Sequence, residues 1–167
     1  MLRPRGRCAA GYFYEAFGLV FQFPFACPEL GPARTAKARA DVVLYAAQLP
    51  DELSDVRYVE SFAGFSCQVG KEQFLLKIDG VGHYFVDKGI RILLDIPSTA
   101  DRNDFLAYLF GSCFGVLLLQ RGIFPLHASV IQTENGAIAF AGHSGAGKST
   151  LLTAFQQRGF LPLADDV

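Results

Sequence analysis

Apolar residues in the first 97 positions occur in short runs separated by turn residues, a pattern typical of β-strands. Glycine and Asp-Gly pairs stand between several of these runs and favour tight turns. We therefore expect a small β-rich domain over residues 1–97, with a meander in its second half. Six runs are predicted as strands: 11–23, 41–48, 62–69, 74–78, 84–86 and 90–96.

A longer apolar segment follows and predicts one buried helix. Ser98 or Asp101 can cap its start, and Arg121 with Gly122 can close it after about residue 120. Residues 105–119 carry no charge, but this run is only 15 residues long and contains two glycines. A membrane span needs about 20 residues. We therefore favour a core helix over a transmembrane one.

Two apolar runs on either side of Asn135-Gly136 predict a β-hairpin, because Asn-Gly supports the tight turns that join antiparallel strands. If this pair occupies the two central turn positions, Glu134 pairs with Ala137. That register places Ser129 opposite Gly142 and brings His127 alongside the mouth of the glycine-rich loop that follows the second strand, near Ser144. His127 is therefore a candidate to contact a phosphate or its acceptor. The second strand is expected to be buried, since its five residues 137–141 are all apolar.

The stretch GHSGAGKST fits the phosphate-binding pattern G-x-x-x-x-G-K-[ST] at every fixed position. Its glycines allow a tight turn whose backbone N–H groups point at an anion. Lys148 can reach the β- and γ-phosphates, and the Ser149 hydroxyl can bind Mg²⁺. A helix that starts at Lys148 adds the positive end of its dipole. The predicted nucleotide-binding residues are Gly142, His143, Ser144, Gly145, Ala146, Gly147, Lys148, Ser149 and Thr150.

An apolar strand over residues 160–167 is predicted after this helix, and it carries Asp165 and Asp166 near its end. Carboxylates that face a phosphate loop can bind Mg²⁺ or accept a proton from a hydroxyl. Neighbouring side chains on a strand point to opposite faces, so we expect the two acids to have different roles. Ser149 and Asp165 are the candidate metal ligands, and ATP and Mg²⁺ are the implied cofactors.

From His127 onward the chain resembles the catalytic domain of the HPr kinase/phosphorylase family, whose fold is related to ATP-dependent phosphoenolpyruvate carboxykinase. The segments PLHASVI, GHSGAGKS and RGFLPLADDV carry this resemblance. It implies that Lys148 holds the phosphates and that Asp166 takes the proton from an acceptor serine, with support from Asp165 and His127. The chain departs from the family at Thr150, where glutamate is usual, and at LHAS, where HGV is usual.

Over its whole length the chain looks closer to the HPr-kinase-like proteins encoded beside modified-peptide clusters, such as those of lasso peptides. The segments AFGLV and FGSCFGVLLLQRG carry this second resemblance. It implies an α+β or α/β fold in which the β-rich domain precedes residues 98–167, the helix and the first part of a P-loop kinase domain. The implied activity is ATP-dependent phosphorylation of a serine on a protein or peptide.

Composition narrows the range of partners. The formal net charge is −1, so no basic excess indicates a nucleic acid partner. The cysteines at positions 8, 27, 67 and 113 form no C-x-x-C pair, which favours reduced thiols in a cytoplasmic protein. We expect no membrane association, and we regard a homo-oligomer as an open alternative.

Two other functions are compatible with the loop. One is a nucleotide-binding protein without transferase activity, including the remnant of a kinase. The other is an ATP-binding-cassette ATPase, but those domains carry the loop near their start and their acidic strand much further along. Here Asp165 and Asp166 follow Lys148 by 17 and 18 residues. Because the sequence stops so soon after the loop, we expect a truncated product that transfers no phosphate alone.

Overall fold

The computed structural model describes residues 11–33 and 39–165. It has an α+β architecture with a large mixed sheet of eight strands, one long helix and a small antiparallel sheet of three strands. The chain divides into two compact units after Ile123, and the long helix belongs to the first unit. The domain boundary expected after residue 97 stays a prediction, since a domain is defined by independent folding and not by contacts alone.

The large sheet has the strand order β1-β2-β3-β8-β7-β6-β5-β4. Strands β4 to β8 form the antiparallel meander that the sequence predicts. Strand β3 instead pairs in parallel with both β2 and β8, which makes the sheet mixed. The strands are β1 Tyr12–Ala16, β2 Leu19–Phe23, β3 Val42–Ala46, β4 Tyr58–Phe62, β5 Phe65–Val69, β6 Gln73–Ile78, β7 Gly82–Asp87 and β8 Arg91–Asp95.

Two of the predicted strands are wrong in extent: the first is a whole hairpin, and the second begins at the last residue of a strand that the sequence analysis did not predict. The run 11–23 contains β1 and β2, joined by a turn in which Phe17 and Gly18 have φ of 54° and 71°. The run 62–69 contains the end of β4, a turn with Gly64 at φ 76°, and β5. Neither turn has an Asn-Gly or Asp-Gly pair, and a bulky residue such as Phe17 rarely adopts positive φ.

The long helix packs on one face of the large sheet. It consists of α1 Arg102–Tyr108, a π-helical segment Leu109–Cys113 and α2 Phe114–Gln120. The ring of Phe21 stacks on that of Phe114 with centroids 4.7 Å apart. The Tyr84 hydroxyl donates to a helix carbonyl at 3.0 Å. A second apolar cluster on the opposite face contains Leu53, Leu75, Phe85 and Leu93.

The bounds of this helix agree with the prediction. The Asp101 side chain caps it by accepting hydrogen bonds from the backbone N–H groups of Asn103 and Asp104. Gly122, at φ 74°, lies just after its end. Among the described residues, this 19-residue helix alone is long and apolar enough to cross a membrane. Its side chains at Leu109 and Leu117 are fully buried in the apolar core, as a core helix requires.

The second unit contains the small sheet and one helix. Its elements are β9 Ala128–Thr133, β10 Gly136–Ala141, α3 Lys148–Gln156 and β11 Pro162–Ala164. The central strand β9 pairs antiparallel with β10 on one side and with β11 on the other. Strands β10 and β11 therefore run in the same direction, with β9 between them and α3 connecting them along the chain.

The predicted hairpin is confirmed, but its predicted register is wrong by two residues. Gly136 pairs with Thr133, so Glu134 and Asn135 are the central turn residues. Neither has positive φ, which the expected Asn-Gly turn requires at both central positions. As a consequence, Ser129 pairs with Phe140 and not with Gly142, and the position opposite His127 is Gly142.

The expectation that β10 is buried is also wrong. Five of its six residues are exposed, and Ile138 keeps 47% of its surface. The strand lies at an edge of the small sheet, and β9 is the one strand of the described residues that pairs with it. Its one half-buried residue, Phe140, stacks on Phe155 of α3 with centroids 5.3 Å apart. An apolar run of this length does not distinguish a central strand from an edge strand.

Candidate functional site

The glycine-rich loop connects β10 to α3, as the motif requires. Gly145 and Gly147 have φ of 79° and 84°, in the left-handed region that favours glycine. Gly147 is also the residue that precedes the first turn of α3. The backbone N–H of Ala146 donates to the His143 carbonyl at 3.1 Å, which closes the loop as a tight turn. The sequence therefore folds locally into strand, loop and helix.

Most of the loop is open to solvent. A ligand can therefore approach the backbone N–H groups that precede α3 and the positive end of its dipole. Helix α3 has nine residues, and the N–H groups of its first turn have no hydrogen-bond partner within the helix. The exposed residues of the predicted binding set are Gly142, His143, Ser144, Gly145, Ala146, Gly147, Ser149 and Thr150.

Lys148 is the buried member of the loop, with 8% of its surface exposed. Its ammonium group donates to the carbonyl oxygens of Gly142 at 3.2 Å and His143 at 3.4 Å. The side chain therefore folds back over the loop instead of extending into solvent. These carbonyls partly compensate the buried charge, and an anion at the loop would compete with them for the same ammonium group.

Three oxygen-bearing side chains meet beside the loop. Asp165, directly after β11, accepts hydrogen bonds at Oδ1 from the Ser149 hydroxyl at 3.1 Å and the Ser129 hydroxyl at 2.5 Å. Ser149 lies in the first turn of α3, and Ser129 lies on β9. The structure therefore brings together the two residues predicted as metal ligands, Ser149 and Asp165.

The Ser149 hydroxyl and the Asp165 carboxylate could hold a magnesium ion. A serine hydroxyl can donate its proton to a carboxylate and still offer a lone pair to a cation. Both hydrogen bonds to Asp165 from described residues end on Oδ1, so Oδ2 accepts none from them. The described part of the chain contains no group of three or more His, Cys, Asp or Glu side chains that could hold a metal. A site with few protein oxygens suits Mg²⁺, which keeps waters and substrate phosphates as ligands.

Two further predicted residues have different outcomes. Asp166 lies outside the described residues, so its role stays a prediction. The last pair of the hairpin is Ala128 with Ala141. The next position beyond it is His127 on the side of β9 and Gly142 on the side of β10. His127 therefore lies at the end of β9 that faces the start of the loop, where neighbouring strands are about 5 Å apart.

Sequence reasoning missed the role of Ser129. In the predicted hairpin it was one strand position among others, with no chemical function attached. Its side chain is fully buried, and a buried hydroxyl must find a hydrogen-bond partner. The available signal was a small polar residue between the apolar residues Ala128 and Val130, which does not by itself identify its partner as Asp165.

Comparisons of this chain with protein-family models, with curated proteins and with solved structures found no match. The interpretation of the site therefore depends on its geometry and on the motif residues themselves. The loop conformation, the ammonium group and the Ser149–Asp165 contact are the features that it must explain.

Proposed function

We propose that the protein binds ATP and Mg²⁺ at the glycine-rich loop and, in its intact form, acts as an HPr-kinase-like enzyme that phosphorylates a serine of a protein or peptide. The observation that carries this proposal is the 3.1 Å hydrogen bond between Ser149, at the start of α3, and Asp165, after β11. In P-loop proteins a hydroxyl and a strand-end carboxylate at these two places hold the magnesium ion.

Different residues would have different roles in phosphoryl transfer. Lys148 and the N-terminus of α3 bind the β- and γ-phosphates and stabilise charge that develops on the γ-phosphoryl oxygens. Ser149 and Asp165 would hold Mg²⁺, which supplies further charge neutralisation. The acceptor serine oxygen attacks the γ-phosphorus, the bond to ADP breaks, and the serine proton passes to a base. The family resemblance assigns that base to Asp166.

The topology of the small sheet favours this proposal over an ATP-binding-cassette ATPase. In ordinary P-loop folds a parallel strand stands beside the strand that enters the loop, whereas β9 is antiparallel to β10. Asp165 also follows Lys148 after a single helix, 17 residues along the chain. Both features are compatible with a phosphoenolpyruvate-carboxykinase-like P-loop fold, which forms part of the proposal.

Nucleotide binding without transfer is the second candidate function. Asp165 is the one carboxylate that hydrogen-bonds to a loop residue within the described part of the chain. Phosphate binding needs the loop, the ammonium group and a metal ligand, whereas transfer needs an additional base. A nucleotide-dependent binding protein would therefore need nothing beyond the groups that the structure brings together.

Incubation of the protein with Mg-ATP and serine-bearing peptides distinguishes the two candidates. In the intact form of the protein, phosphoserine detected by mass spectrometry is the expected product, and Asp166→Asn should abolish it while ATP affinity is retained, because an amide cannot accept the serine proton. ATP binding with no phosphoserine on any acceptor would favour the non-catalytic function. Loss of ATP binding in Asp166→Asn would exclude a role for Asp166 as base alone.

A further inference from the structure

The pairing of β11 with β9 places Asp165 beside a buried hydroxyl. The register shifts by one residue between Pro162 and Ala164. Past this shift the next position, Asp165, falls opposite Ser129, whereas without it Asp165 would fall opposite Ala128. Directly opposite residues of paired strands share a face of the sheet. The irregularity in β11 therefore sets the carboxylate on the same face as the Ser129 hydroxyl, and such irregularities often re-aim side chains beside active sites.

Ser129 is held on the most constrained strand of the small sheet. Strand β9 is paired along both sides, and Ser129 itself is opposite Phe140 of β10. Its side chain is fully buried, and its hydroxyl donates to Asp165 Oδ1 at 2.5 Å. A rigid, buried donor fixes the position of the oxygen that accepts from it.

We infer that Ser129 is a positioning residue that holds the Asp165 carboxylate in place for a divalent cation. With Oδ1 held by Ser129, the second oxygen, Oδ2, is left available as a ligand. Ser149 would have to share its hydroxyl between Asp165 and the cation, whereas the Ser129 hydroxyl, among the described residues, donates to Asp165 alone. Hydrogen-bond partners of ligating carboxylates commonly set metal affinity in this way. The inference rests on the proposed binding of ATP and Mg²⁺.

Titration calorimetry with ATP tests this role through the effect of the metal on nucleotide affinity. The dissociation constant is measured in EDTA and in excess Mg²⁺, and the ratio of the two values gives the gain from the metal. Ser129→Ala should lower that ratio about tenfold, and its dissociation constant in EDTA should stay unchanged. Ser129→Cys should also lower the ratio and leave the dissociation constant in EDTA unchanged, because its thiol is of similar size but is only a weak donor. Ser129→Thr should keep the gain, because it keeps the hydroxyl.

Thr133→Ala is the matched control, since it removes a hydroxyl from the same strand at the end away from the loop. An unchanged ratio in both Ser129→Ala and Ser129→Cys would overturn the inference. Equal weakening in EDTA and in Mg²⁺ would also overturn it, because that result indicates a general structural role. If the unaltered protein binds no ATP at all, the proposed function itself fails, and that outcome is separate from any difference between variants.

Discussion

The two compact units differ in how completely their strands are covered. In the first unit, the edge strand β4 is exposed along its whole length, but apolar clusters lie on both faces of the eight-stranded sheet, and residues such as Phe21 and Leu93 are buried. In the second unit, β10 is exposed along most of its length, and two of the three strands lie at sheet edges. The first unit is therefore organised by packing, whereas the second is organised around an accessible loop.

Polar contacts show the same difference. In the first unit the buried Asp87 pairs with Arg91, and Glu29 pairs with Arg102 at the surface, where an ion pair contributes little stability. In the second unit the hydrogen bonds of Asp165 and Lys148 converge on the glycine-rich loop. Functional groups are commonly held on exposed segments beside a rigid scaffold. The comparison indicates where a substitution should affect stability and where it should affect binding.

The largest expected effect is the loss of a core side chain in the first unit. Leu118 is 2% exposed, so Leu118→Ala should lower the free energy of unfolding by about 2–5 kcal/mol through lost burial and a residual cavity. The neighbouring Leu119 is 54% exposed, so Leu119→Ala should change the free energy of unfolding by about 0.5 kcal/mol or less. Urea denaturation measures both values. Similar losses in the two variants would contradict the packing described for this helix.

A smaller effect is expected from Lys148→Ala in the second unit. Removing a charged donor to phosphate should cost about 1.5–3 kcal/mol, so the dissociation constant for ATP should rise by about 10- to 150-fold. Arg158→Ala is the control and should leave ATP affinity unchanged, because within the described part of the chain that side chain donates only to the Ala154 carbonyl near the end of α3. Equal affinities in Lys148→Ala and the unaltered protein would exclude the loop as the phosphate site.

Thiol reactivity provides a finer test of burial in the first unit. Burial raises the pKa of the Cys27 thiol to about 12, with the neighbouring Glu29 adding to the shift, and it raises the pKa of Cys113 well above its usual range. Because the thiolate is the nucleophile, both should resist iodoacetamide at pH 8 in the folded protein and react in urea. Peptide mass spectrometry identifies the labelled sites. Rapid labelling of Cys113 in the folded protein would mean that the core opens readily.

The smallest effect concerns the exposed edge of the small sheet. An uncovered apolar edge strand favours self-association, and a lysine on such a strand opposes it. Ile138→Lys should therefore reduce any concentration-dependent association seen by light scattering. Leu119→Lys, a change at an equally exposed leucine of the first unit, should not. If both variants associate to the same extent as the unaltered protein, the β10 edge is not a contact surface.

Local signals predicted much of the fold. The Asp101 cap, the glycine after the long helix and the meander follow from short-range preferences. The turn at Phe17 was missed because it places a bulky side chain at positive φ, which local preference opposes. The hairpin register was wrong by two residues because Asn135 does not adopt the conformation that its preference favours.

The candidate site was predictable in its residue types but not in its contacts. The loop pattern identified Lys148 and Ser149, and the acidic pair identified Asp165 as the residue that would join them. The part played by Ser129 depends on a one-residue register shift in β11. No periodicity in the sequence records such a shift, because it arises from pairing between strands that are distant along the chain.

The central claim is that the glycine-rich loop holds the phosphates of ATP. Two-dimensional ¹H–¹⁵N NMR of the protein, titrated with ATP in the presence of Mg²⁺, tests it most directly. We expect saturable shifts concentrated at the amides of the loop and the first turn of α3, including those of Gly145, Gly147 and Ser149. The absence of shifts at these amides, or saturable shifts confined to the eight-stranded sheet, would contradict the account.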